Sequence, residues 1–429
     1  MTAIEQIREN VAKLYKFRDE YFKTYGIEDA ANKTQRVQQE IQSTIQLIDT
    51  IKDQVSPDLK GELHFLRGRA LNATAEYSAE AEEVLGRATR FNLPSAWNEL
   101  GECQYKKGDL TGALTCFEKA LRLAQDKVYY RNMSMLMRSL PWKTSNEREE
   151  NIEKGLEYAR KAIQLDMSDG HSWLVLGNAY LALFFTVDSK MESLKHCKAA
   201  YSKAANDPLA VVLPELHFSK FHVQWYEEDY AGALSSLQRA HELEPTWTEC
   251  QTKFDECLKF LTKLSQMVKN KGQLNQRRLN ALTADINTSQ LGPYDKGGTN
   301  LTSGRKPDLV PMALLGEGNN EDKVILGKVV CTIIPESGIP FSMCLVDKED
   351  SCIAVTVYNW ASNCGVKIGD SVAVIAPVLK SHSINVPGGT TLSFRSVRVA
   401  VPLMLVVNKR PVGISQIATS QIVSQQKPE

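Results

Sequence analysis

Trp97-Asn-Glu-Leu100-Gly101 recurs as Trp173-Leu-Val-Leu176-Gly177-Asn-Ala-Tyr180. The pattern W-x-x-L-G-x-x-Y is the first helix of a tetratricopeptide repeat. One such helix pair cannot bury its own apolar face, so at least ~3 must stack into a solenoid. The second helix needs a small residue, then an aromatic or Leu, then Ala. Ala113, Phe117 and Ala120 fit this after Trp97, with Gly108-Asp109 as the turn. Ala233, Leu237, Ala240 and Pro245 fit it again behind Glu228-Asp229. Cys197, Tyr201 and Ala204 fit it after Trp173, with an insertion around Phe184–Lys190. Gly155, Ala159 and Ala162 mark another second helix, and Gly68, Ala81, Leu85 and Ala88 an earlier, degenerate copy.

Two helices, about Ile4–Tyr25 and Asn32–Lys52, precede the repeats, and a long one, about Thr246–Lys271, follows. They would cap the exposed ends of the array. Pro141 interrupts the repeat at Leu140–Arg148, because proline forbids a continuous helix, and a surface loop is expected there.

Periodicity stops at residue 272. Gly292-Pro293, Gly297-Gly298, Gly304 and Gly316-Glu-Gly318 are breakers and read as a linker. From 321 the pattern is β, rich in Val, Ile and Thr, with alternation at Ser351–Tyr358. Strands are expected at Val324–Ile333, Phe341–Asp347, Ser351–Tyr358, Ser371–Ala376 and Leu392–Val399, with loops at Pro335–Pro340 and Lys380–Thr390. Five strands with a glycine in the first match an OB-fold barrel, with an SH3-like barrel as the alternative. The expected chain is therefore two-domain: an all-α tetratricopeptide-repeat solenoid over 1–271, a linker over 272–320, an all-β five-stranded OB-fold barrel over 321–410 and a tail over 411–429.

Charge follows the same division. Residues 1–268 carry 34 Lys and Arg against 39 Asp and Glu, 269–320 carry 7 against 4, and 321–410 carry 9 against 7. The total is 51 against 51, which excludes a whole-chain basic tether to nucleic acid or membrane. No apolar run approaches the ~18 residues that span a bilayer, and no signal peptide follows Met1. Without secretion, the glycosylation patterns at Asn72 and Asn300 carry no weight. Nine cysteines without a CxxC pair predict reduced thiols and no zinc site. No P-loop, HExxH, GxSxG or kinase motif appears, so no enzyme, cofactor or metal is expected.

Repeat solenoids bind along the layer of first helices. The register places Phe65, Arg69, Asn98, Tyr105, Lys106, Asn178, His222, Trp225 and Tyr226 there, with Arg131 and Arg138 on the helix before the insertion. Mixed aromatic and polar side chains suit an extended peptide, whose backbone needs hydrogen bonds and whose side chains need pockets. Glu102 and Leu174 spoil the Lys/Asn/Arg clamp with which related repeats hold chaperone carboxylates. OB-folds bind single strands by stacking bases on aromatics over a basic groove. Tyr358 and Trp360 would supply the rings, and Lys380, His382, Arg395 and Arg398 the charge.

The repeat motifs at Trp97 and Trp173, followed by one barrel at Val324–Val399, resemble the tetratricopeptide repeat protein five family, also called Strap. The resemblance covers almost the whole chain, and the order of domains carries it. It implies a stress-responsive, non-enzymatic transcription coactivator in nucleus and cytoplasm. Such an adaptor would join a histone acetyltransferase coactivator and its adaptor proteins in the tumour-suppressor response to DNA damage. It also implies recognition of nascent tubulin chains at the ribosome; from the residues themselves, DNA or RNA contact through the OB-fold and no membrane are expected.

Overall fold

The structure is a computed structural model that describes residues 2–299, 304–334, 340–361, 363–386 and 389–418. The expected turn at 335–340, the Pro387-Gly-Gly389 loop, the tail beyond 418 and Asn300 lie wholly or partly outside the described residues.

Helix α1 (Ala3–Asp19) opens on a capping box in which Thr2 and Glu5 satisfy each other's backbone donors. Helices α2 (Tyr21–Tyr25) and α3 (Lys33–Ile51) follow. Five helix pairs then stack: α4 (Lys60–Leu71) with α5 (Ala79–Ala88), α6 (Pro94–Lys107) with α7 (Leu110–Leu123), α8 (Lys127–Ser139) with α9 (Ser145–Leu165), α10 (Gly170–Leu183) with α11 (Met191–Ala205), and α12 (Pro214–Tyr226) with α13 (Tyr230–Leu243). Long α14 (Thr248–Lys269) and short α15 (Gln276–Ala284) complete the helices.

The motif residues do the packing expected of them. A Cβ on Gly101 would lie 2.5 Å from the Phe117 ring, and one on Gly177 would enter the ring of Tyr201. Glycine therefore sets how closely α6 approaches α7 and α10 approaches α11. Gly108 (φ +86°) caps α6 in the left-handed region, and Asp109 caps α7 by accepting from Gly112 N at 2.9 Å. The insertion after Trp173 is a π-helical turn, Phe184–Asp188. The expected loop around Pro141 is short, because Thr144 accepts from Glu147 N at 3.2 Å and starts the 21-residue α9.

One expectation about apolar length is corrected. Gly170–Asp188 spans 19 residues with a mean hydropathy of 1.2, long and apolar enough to cross a membrane by length and composition. It packs as a core helix, with Leu174, Leu176, Gly177 and Ala179 buried.

The chain divides into two compact units. The first comprises Met1–Glu227 and Ser236–Cys250; the second comprises Glu228–Ser235 and Gln251–Ile422. Most of α14 thus belongs with the β-sheet rather than with the repeats.

Among the described residues the sheet has ten strands, not the five expected, and its hydrogen-bonded path does not close into a barrel. They are β1 (Asp308–Leu309), β2 (Gly318–Asn319), β3 (Lys323–Ile333), β4 (Phe341–Val346), β5 (Cys352–Val357), β6 (Ser371–Ile375), β7 (Val378–Val386), β8 (Thr390–Val399), β9 (Leu405–Val407) and β10 (Arg410–Pro411). The order is β10-β9-β6-β3-β4-β5-β8-β7-β2, with β1 alongside β3 and a parallel pairing of β5 with β8. The five expected strands are β3, β4, β5, β6 and β8. The supposed loop at Lys380–Thr390 is largely β7, paired with β8 from Val378↔Arg398 to Val386↔Thr390. Its run Lys380-Ser-His-Ser383 is mostly polar, and only Leu379 and Ile384 are buried, which hid the alternation.

The described parts of the expected linker are also packed. Ile286, Leu291 and Tyr294 pack on Val324, Leu326, Ala373, Ile375 and Val406. Met312 and Leu315 enter the main β core with Ile325, Val329, Met343 and Val355. These anchors sit singly between glycines and prolines, so no period marks them.

The close approach at Gly177 makes a stability prediction. Gly177→Val should lower unfolding stability by about 1–3 kcal/mol through overpacking against Tyr201. The urea midpoint of the helical signal measures it, with Gly108→Ala, where no atom lies nearby, separating backbone from packing cost.

Candidate functional site: the first-helix layer and the β-domain face

Helices α4, α6, α8, α10 and α12 are the first members of their pairs. Asn98 is buried on α6; its Nδ2 donates to Glu102 Oε1 at 3.0 Å, and its Oδ1 accepts from Asn132 Nδ2 at 3.0 Å. Asn132 also donates to Glu102 at 2.6 Å. Asn98 therefore belongs to a polar ladder along the layer. Lys106 is spent as well: its Nζ donates to Asn72 O at 2.7 Å, Asn72 Oδ1 at 2.9 Å and Thr74 O at 2.7 Å. Those carbonyls follow the end of α4, so the lysine acts as its C-terminal cap. Burial lowers the Lys106 pKa, while Glu102 and Glu99 oppose this.

Helix α1 lies against this end of the layer. Tyr15 OH donates to Arg69 O at 3.0 Å and to Glu99 Oε1 at 3.2 Å, and Arg18 Nη1 donates to Ala73 O at 3.1 Å. Arg69 stacks on the Tyr15 ring at 4.4 Å, and Phe65 packs partly against the same helices. Buried Glu99 also accepts from Asn72 Nδ2 at 2.9 Å. Burial, with Glu102 adding repulsion, raises its carboxyl from 4.5 to about 7.

Further along, Arg131 is paired with Asp169 at 2.7 Å. Tyr105 shares a 2.9 Å hydrogen bond with Ser139, and Asn178 accepts from Tyr201 OH at 2.7 Å. Arg138 differs from these. Its Nη1 donates to Ser134 Oγ at 2.9 Å, one turn back on its own helix, and among the described residues it has no carboxylate partner. Burial pulls its guanidinium down to about 10, offset in part by Tyr105 and Tyr201. At α12 the layer turns aromatic. His222 lies against Phe218 and Phe221, Trp225 lies 6.1 Å from Phe221, and Tyr226 meets Phe184 and Phe185 edge-on at 5.0 and 5.6 Å. Phe184 and Phe185 come from the π turn, whose aromatic pair was the available signal for their place here.

The six β-domain residues do not form one open face. Tyr358 is buried, and the Arg398 guanidinium covers its ring at 3.9 Å. Arg398 Nη1 lies 3.3 Å from Oε1 of Glu228, whose side chain is fully buried. Burial raises the Glu228 carboxyl, and Arg398 and Lys380 oppose this. His382 is packed between Phe394 and Tyr230, with Nε2 2.7 Å from Ser396 Oγ; burial lowers it to about 4. Arg395 donates to Leu315 O at 3.0 Å, and Trp360 packs edge-on against Phe341. Among the described residues no group of three or more His, Cys, Asp or Glu has an arrangement that could hold a metal ion.

A family model for the tetratricopeptide repeat protein 5 OB fold domain matches residues 306–421, and one for the tetratricopeptide repeat matches 94–127. Tetratricopeptide repeat protein 5 of Homo sapiens is 38% identical over 431 residues, covering 99% of this chain and 97% of that protein. Its Mus musculus counterpart is 37% identical with the same coverage. A thermophilic tetratricopeptide-repeat protein of Thermus thermophilus, known from a crystal structure, is 18% identical with a TM-score of 0.39, covering 46% of this chain and 98% of that one. Repeats joined to an OB-fold domain define a protein-interaction scaffold. The chain belongs to the tetratricopeptide repeat protein 5 family.

Glu99 generates a pH prediction. Its folded-state value lies above the unfolded one, so its contribution to stability is full below about 4.5 and is lost as pH rises through about 7. Glu99→Gln should remove this slope and be more stable than wild type at pH 8 by about 1–3 kcal/mol. Urea midpoints at pH 5.5 and pH 8 measure it.

Proposed function

We propose that this chain is a non-catalytic adaptor whose first-helix layer holds an extended peptide through an acidic side chain or carboxylate. Arg138 carries the reading. Its neighbours Asn98, Lys106 and Arg131 have partners within the protein, whereas half-buried Arg138 has no counter-ion among the described residues. Such a cation gains most from a carboxylate brought by a partner, because a charge-assisted pair offsets its desolvation. The aromatic stretch around Trp225 and Tyr226 then offers contact area for an apolar residue of the same peptide.

The family resemblance supplies two destinations for such an adaptor. One is a histone acetyltransferase coactivator and its adaptors in nucleus and cytoplasm; the other is the nascent tubulin chain at the ribosome. Single-strand recognition draws less support, since Tyr358 is buried beneath Arg398 and His382 is packed between two rings.

Titration of the full chain with peptides from both partner classes tests the reading. Arg138→Ala should weaken the acidic peptide by about tenfold or more, as expected for loss of a hydrogen bond to a charged group, without lowering the melting temperature. Trp225→Ala should weaken the same peptide. Lys106→Ala should instead lower the melting temperature, having removed a cap. Unchanged affinity in both Arg138→Ala and Trp225→Ala would remove the layer as the binding site.

A further inference from the structure

Strands β3, β4 and β5 carry Cys331, Cys344 and Cys352, all free thiols. Met343 and Leu345 point into the β core, so Cys344 between them points to the opposite face. Ile353 and Val355 point inward too, which puts Cys352 on the face of Cys344. Simple alternation from Val329, a core residue, would send Cys331 inward. The register shifts between Val329 and Cys331, and this bulge turns Cys331 outward, directly opposite Cys344.

Geometry then selects one pair. Directly opposed residues in antiparallel strands hold their Cα atoms ~4.5–5.5 Å apart, inside the ~4.4–6.8 Å that a disulfide spans. The Cys344 thiol has hydrogen-bond contact with both Cys331 and Cys352, but Cys352 is opposite Val346 and diagonal to Cys344, where the backbone separation is ~7–8 Å, so the shorter span favours Cys331. The two opposed thiols also differ in character. A hydrogen bond from Cys344 lowers the Cys331 pKa, burial opposes it, and the Lys263 ammonium helps. Cys331 retains 8% exposure, while Cys344 is fully buried. This is the division of labour of an attacking and a resolving thiol.

We propose that Cys331 and Cys344 are a reversible disulfide site driven by hydroperoxides. The Cys331 thiolate attacks the peroxide O–O bond, giving a sulfenic acid and releasing the alcohol, or water from hydrogen peroxide, after proton uptake. Cys344 then attacks the sulfenic sulfur; the S–S bond forms, and the hydroxyl leaves as water with the Cys344 proton. Two thiols and one hydroperoxide become one disulfide, one alcohol or water, and one further water. Both electrons come from sulfur. The product would staple β3 to β4 at the bulge, and a dithiol reductant would reverse it.

The test uses the full reduced chain, treated with graded hydrogen peroxide, alkylated and mapped by peptide mass spectrometry. The expected result is a Cys331–Cys344 linked peptide at least tenfold more abundant than any other pair. Dithiothreitol should remove it, Cys331→Ser should abolish it and Cys352→Ser should preserve it. The wild-type map decides even if a variant misfolds. Two results would overturn the proposal: both thiols still alkylated at doses that oxidise Cys364, or a dominant Cys344–Cys352 link.

Discussion

Everything in the repeat unit depends on how closely two helices of a pair can approach. Gly101 beneath Phe117 and Gly177 beneath Tyr201 remove the one atom that would hold the helices apart. The rings then occupy the space between successive pairs, and fully buried Ala113, Ala120, Ala179 and Ala204 continue the contact. The stack of pairs creates the layer of first helices, which carries Asn98 on α6, Arg131 and Arg138 on α8 and Asn178 on α10. A larger residue at either glycine would disturb the spacing of the polar groups as well as the core.

Within that layer, most polar residues are occupied by the fold. Lys106 closes the end of α4, Arg131 pairs with Asp169, and Asn98 joins Asn132 and Glu102. This economy makes Arg138 informative, since a cation without a carboxylate stands out only where its neighbours are paired. Glu228 and Arg398 show the opposite situation in the second unit, where a buried carboxylate and a guanidinium answer each other and leave little for a ligand. Burial of such a pair fixes geometry more surely than it adds stability.

The repeats were legible because their period is long and their glycines, alanines and rings have fixed places. Five of the apolar strands were legible as short runs rich in Val and Ile, mostly buried throughout in β3 to β6. What escaped notice lacked a period. Strand β7 shows polar residues at most positions, and 272–320 anchors itself by single residues such as Ile286, Leu291 and Met312. The solenoid candidates were chosen by register, which assigns them to first helices but could not tell Lys106 from Arg138. That distinction rests on partners distant in sequence, Asn72 and Thr74 for the one, and on the lack of a carboxylate among the described residues for the other.

The division into units is interleaved along the chain. Glu228–Ser235 and most of α14 count with the sheet, yet Ser236–Cys250 between them counts with the repeats. The polypeptide therefore passes between the units more than once, and no single cut yields both of them whole. A fragment ending at residue 227 would lack Ser236–Cys250, and one beginning at residue 321 would lack α14 and the anchors before β3. Limited proteolysis at one bond would therefore leave at least one of the two units built from both fragments.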